Sequence, residues 1–191
     1  FNVAMGYASL STDTLGSRNV AIGFAALEDQ NFTTATDSYN TAVGHAAGTN
    51  VTTGASNTLI GGLAGDALTT GNSNVAVGTA SLTTDTLGDR AVAIGVGALE
   101  NQNFTTSTDN YNVAVGRDAG NDITTGTVNT LIGGLAGDAL TDADNNVAIG
   151  YAALSSDTLG GRSVAVGTTA LLNQNFTTAT NAYNVAVGYN A

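Results

Sequence analysis

The stretch Asn19-Val20-Ala21-Ile22-Gly23, NVAIG, decides the fold, because variants of it recur eleven times along the chain. The closing glycines are Gly6, Gly23, Gly44, Gly61, Gly78, Gly95, Gly116, Gly133, Gly150, Gly167 and Gly188, spaced by 17, 21, 17 and 17 residues before the pattern restarts. Four intervals make a 72-residue super-repeat, and NTLIGGLAGDALT at Asn57–Thr69 returns unchanged at Asn129–Thr141. A fixed period near twenty residues marks a solenoid, in which each repeat buries its apolar face only by stacking on a neighbour. Inside the stretch the larger apolar residues alternate, as in Val20 and Ile22, Val92 and Ile94, and Val185 and Val187. Alternation with period two is a strand. The residue between them is Ala in nine copies and Leu at Leu59 and Leu131, so both faces are apolar, the pattern of a strand buried on both sides. One face is expected to meet the opposite wall of its own coil. The alanine-bearing face is expected to be covered by an identical neighbouring chain, since small residues permit close approach.

The remainder of each turn places Leu10, Leu15, Leu82, Leu87, Leu154 and Leu159 among Ser, Thr and Asp. These leucines are expected inside the roll, between two short strands of about five residues per turn. The reading is all-β: a parallel β-roll or β-solenoid of about eleven turns, one repeat domain over residues 1–191. Its super-repeats are 2–73, 74–145 and a partial 146–191, taken as a segment of a longer polypeptide. At about 4.8 Å per turn the rod is roughly 48 Å long.

Composition narrows function. There is no proline, cysteine, tryptophan or lysine, four arginines face fifteen acids, and the net charge is −11. Such a chain is not expected to bind nucleic acid, which requires cationic side chains, and no apolar run approaches membrane-spanning length.

The phrases NVAIG at Asn19 and Asn146 and NVAVG at Asn74, Asn112 and Asn184, with the corners TTGAS at Thr52 and TTGNS at Thr69, resemble the left-handed parallel β-roll of trimeric autotransporter adhesin heads. The same phrase in 17-residue turns is similar to bacteriophage tail-fibre shafts. The resemblance implies a homotrimer, an extracellular, cell-surface or virion location, and a cell-surface glycan or receptor as the partner of the assembled fibre.

Candidate chemistry is sparse. The single histidine, His45, occupies the place of Phe24, Tyr151 and Tyr189 in sister turns, and it reads as a substitution in that column. No nucleophile–base set can be assembled from this inventory, so no enzymatic activity and no cofactor are expected. GGLAGD at Gly61–Asp66 and Gly133–Asp138 is like calcium-binding repeats only in composition; Asp66, Asp138, Asp142 and Asp144 are the weak metal candidates. Thr34, Thr36, Thr106 and Thr108 occur once in four turns, too seldom for an ice-matching face. The 21-residue turns carry the most distinctive loops, EDQNFTTATDSY from Glu28, ENQNFTTSTDNY from Glu100 and LNQNFTTATNAY from Leu172. They are expected to bulge, which makes Phe32, Phe104, Phe176, Tyr39, Tyr111 and Tyr183 contact candidates. Asn31, Asn103 and Asn175, like Asn50, open Asn-x-Thr sequons and are glycan candidates. Arg18, Arg90 and Arg162, five residues after Asp13, Asp85 and Asp157, are candidates for ion pairs between chains that set trimer register. The functional expectation is a non-enzymatic shaft that spaces a receptor-binding tip; the alternative is a subunit of an extracellular structural filament or matrix.

Overall fold

A computed structural model describes all residues, 1–191. It is a parallel β-solenoid without helices, and each NVAIG-type phrase forms one rung of a single eleven-stranded sheet. Rungs run from Val3–Met5 and Val20–Ile22 through Val92–Ile94 to Val164–Val166 and Val185–Val187. Neighbours pair in parallel with no slip: Val92, Ala93 and Ile94 face Val113, Ala114 and Val115 on one side and Val75, Ala76 and Val77 on the other. The identity of successive turns imposes this register, since a shift by one residue would turn every strand over.

The strands contain only three residues, yet the rung-to-rung bonding continues around the coil. Ala25 N donates to Tyr7 O at 2.9 Å, Leu27 N to Ala47 O at 3.1 Å and Asp29 N to Thr49 O at 3.0 Å. A second set of strands appears only where a 17-residue turn meets a 21-residue turn: Gly16–Ser17 with Thr36–Asp37, Gly88–Asp89 with Thr108–Asp109, and Gly160–Gly161 with Thr180–Asn181. The expectation of two five-residue strands in every turn is therefore corrected. Most of the second side pairs as bends and turns in which residues such as Ala25 and Leu27 take left-handed φ.

Which face of the strand looks inward is also corrected. From Ala21 to Ala165 the middle residue of every rung is fully buried inside its own coil, including Leu59 and Leu131, whereas the flanking Val and Ile side chains point outward. The interior is too thin for anything larger than a methyl group on most rungs. Leu59 fits because glycines stand across from it: a Cβ on Gly48 would lie 2.5 Å from Leu59 Cδ1, and one on Gly65 would lie 2.7 Å from its Cδ2. Gly120 and Gly137 stand in the same relation to Leu131. On the Ala21, Ala76, Ala93 and Ala148 rungs the corner offers Leu27, Leu82, Leu99 and Leu154 instead, each fully buried. Of the six leucines expected inside, Leu82 and Leu154 are in the core and Leu10 packs against it. Leu15 is 45% exposed, with Leu87 and Leu159 half-buried, because they follow the corner on its outer side.

The first and last residues of the phrase have separate tasks. The closing glycine has φ near +137°, and a Cβ on Gly95 would lie 2.3 Å from Gly116 O in the next rung. Only glycine satisfies both conditions. The opening asparagine builds a buried ladder: Asn57 Oδ1 accepts from Asn74 N at 2.9 Å, while Asn57 Nδ2 donates across the coil to Gly71 O at 2.9 Å. Asn40, Asn74, Asn129 and Asn146 repeat this pair of bonds. Where Ala91 interrupts the ladder, Asn110 supplies the missing acceptor, and Asn112 N donates to its Oδ1 at 2.9 Å.

Candidate interaction face and corner sites

The outward columns of the long sheet are Val20, Thr41, Thr58, Val75 and their successors, beside Ile22, Val43, Ile60, Val77 and theirs. On interior rungs Ile60, Ile94, Ile132 and Ile149 remain 37–39% exposed despite neighbours above and below. An apolar stripe thus runs the length of the rod, in contrast to the small scattered patches of most soluble surfaces. Its flanking columns hold Arg18, Tyr39, Arg90, Tyr111, Arg162 and Tyr183 before the strand, and Tyr7, Phe24, His45, Arg117, Tyr151 and Tyr189 after it. All four arginines and the only histidine lie in these columns, and none of the fifteen acids does. Rings of Tyr7, Phe24 and His45 stack at 5.4 and 5.2 Å, so His45 continues an aromatic column.

Each 21-residue turn has the same internal plan. Its inserted residues follow a buried polar line: Gln102 Nε2 donates to Asp85 Oδ2 at 2.7 Å, and Asp85 Oδ1 accepts from Gly88 N and Phe104 N at 3.0 and 3.2 Å. Burial pushes the Asp85 carboxyl above its ordinary value, against the pull of these donors. Asp13 with Gln30 and Asp157 with Gln174 repeat the pair. Phe32 and Phe104 turn inward and are buried, and Phe176 is half-buried. Asn31 and Asn175 are exposed and Asn103 half-buried, and their Oδ1 atoms accept from Thr14, Thr158 and Thr86.

Tyr39, Tyr111 and Tyr183 point outward, each under an arginine whose guanidinium carbon lies 5.5, 5.7 and 5.9 Å from the ring centre. Arg18 pairs with Asp37 of its own chain at 2.9 Å, and Arg90 with Asp109 at 3.2 Å. The Ser17 hydroxyl, and after it Arg18, hold the Asp37 carboxyl below its usual range. Arg162 meets Asn181 Oδ1 at 3.0 Å. Asp13, Asp85 and Asp157 instead serve the buried line. This Asp–Gln line escaped sequence reasoning; its signal was the 17-residue spacing of Asp85 and Gln102, repeated in every super-repeat.

Asp142 and Asp144 line one surface cleft, but no three acidic or histidine side chains come together as a metal-holding group. Asp66 Oδ1 accepts from Thr83, Asp142 Oδ1 from Thr125 at 2.6 Å, and Asp144 Oδ1 from Thr127 N at 2.6 Å. Asp138 Oδ1 has no partner; burial, with Asp122 and Asp118 nearby, raises its carboxyl. No helix is long and apolar enough to cross a membrane.

No family model, curated protein or solved structure matches the chain.

Proposed function

We propose that this chain is a non-enzymatic shaft of an extracellular fibre, in which copies associate through the Val/Ile stripe, with three chains as the assembly. The observation that carries the reading is the outward stripe, unbroken and apolar along the Ile22–Val187 column, on columns free of carboxylates. A chain of net charge −11 repels its copies over most of its surface. Along the stripe the copies meet without that repulsion and remove apolar surface from water. The three-chain number and the owner, a bacteriophage tail fibre or a bacterial surface adhesin, rest on the resemblance of the NVAIG phrase. In that setting the rod spaces a receptor-binding tip, and the partner of the whole fibre is a cell-surface glycan or receptor.

Light scattering tests association. A mass three times 18.9 kDa is expected for the chain, falling to the single-chain value in Ile94→Glu, which places a charge in the stripe. A single-chain mass for the unaltered protein overturns the proposal. The exposed sequon asparagines Asn31 and Asn175 favour a second reading, a glycosylated subunit of an extracellular structural filament; mass spectrometry of protein from its native source, showing glycans at these positions, would select it.

A further inference from the structure

The third super-repeat departs from the second at three positions that lie together on the rod surface. In the second, Asp89 is buried beside the short strand, where it accepts from Asn72 N at 2.6 Å and from Ser107 Oγ at 2.7 Å. In the third, Gly161 replaces Asp89, Ala179 replaces Ser107 and Asn181 replaces Asp109. Removing two polar side chains opens a cleft of about 220 Å³ whose lining includes Asp142, Asp144, Leu159, Gly161, Arg162 and Asn181.

Its polar groups are only half engaged. Asp142 and Asp144 each use Oδ1 toward a threonine of the preceding turn, leaving Oδ2 as an acceptor. The Arg18 and Arg90 guanidinia are held by Asp37 and Asp109, but Arg162 meets the neutral Asn181 through Nε alone, which leaves its terminal nitrogens as donors. Asn181 Nδ2 is a further donor. Leu159 and Ala179 supply apolar surface between them.

We propose that this cleft binds a neutral sugar ring. A cation would face Arg162, and an anion would face two carboxylates. A polyhydroxylated ring donates to Asp142 and Asp144, accepts from Arg162 and Asn181, and lays its carbon face on Leu159. All the residues that line the cleft come from one chain.

The test is amide NMR of the isotope-labelled full chain titrated with the methyl glycosides of glucose, galactose and N-acetylglucosamine, and separately with calcium chloride and sodium sulfate. Saturable shifts at Gly161, Ala179 and Asn181 with at least one sugar, and none with either salt, are expected. Gly161→Asp, which restores the residue found in the second super-repeat, weakens binding about tenfold or more with the rest of the spectrum unchanged. Asn181→Asp ties up Arg162 and weakens it severalfold, an independent check should the first variant misfold. The proposal is overturned if none of the sugars shifts these amides, if the shifts survive both variants, or if calcium or sulfate binds there instead.

Discussion

Around Leu59 the interior is closed by carbon alone, with Val51 and Leu68 beside it and Gly48 and Gly65 yielding space, whereas around Asp85 it is closed by hydrogen bonds running from Asp85 through Gln102 to Asn112. Both kinds of block use the same sheet register and the same glycine stack. They differ in what the turn must accommodate. The carbon block lies between the insertions, and Leu131 with Ile123 and Leu140 repeats it. The polar block sits where four extra residues enter, and Asp85 accepts the amide of Phe104 at the start of that insertion. Dry packing supplies cohesion, and the buried polar line specifies the path of the loop.

The largest loss of stability is expected where both blocks share a component, the glycine stack. Gly116→Ala places a Cβ 2.4 Å from Gly133 O at φ +142° and is expected to cost more than about 3 kcal/mol. The control Gly62→Ala, with open space around its Cβ, should stay within about 0.5 kcal/mol. Chemical denaturation of the two variants measures both.

Leu131→Ala empties the centre of a dry block and should cost about 3 kcal/mol. Adding Gly120→Leu imitates the Ala-with-Leu rungs and should recover part of that loss, a non-additivity that a double-mutant cycle reads directly. Additive losses would mean that strand and corner volumes are not exchanged.

In the polar block, pH is the probe. The Asp85 carboxyl is raised above 3.8 by burial, so in the window between 3.8 and its folded value the folded state holds a proton that the unfolded state has released. Stability should therefore rise, relative to Asp85→Asn, as pH falls through that window, and gain nothing further below it. A difference between the two proteins that is flat, or that shrinks on acidification, contradicts a desolvated Asp85.

The smallest effect concerns Asn19, whose Nδ2 is buried without a partner while its Oδ1 accepts from Ser38 and Asn40 N. The second super-repeat solves the same problem with Ala91 and Asn110. Transplanting that pair as Asn19→Ala with Ser38→Asn should stabilise the protein by about 1 kcal/mol, seen as a shifted denaturation midpoint.

Much of this architecture was legible in the sequence. The glycine spacing dictates rung count and register, and alternation within NVAIG dictates a strand. What alternation left open was which side faces in, because Ala and Val are both apolar. The answer depends on the thickness of the coil, a property of corners such as Gly48 and Leu99 rather than of the strand. Likewise the arginine partners were hidden: Asp37 lies 19 residues beyond Arg18, and only the detour of the longer turn brings them together at 2.9 Å. Asn110 standing in for the ladder at Ala91 was legible only as a coincidence of two substitutions until the backbone joined them.

Methyl NMR with a soluble paramagnetic agent tests the account most directly. The Ile94, Ile132 and Ile149 methyls, outward in a single coil, should be as shielded as those of Leu99 and Leu131 at concentrations where the chain is assembled. Strong relaxation of the isoleucines beside shielded leucines would show the stripe facing water, and the association on which the proposed fibre depends would be contradicted.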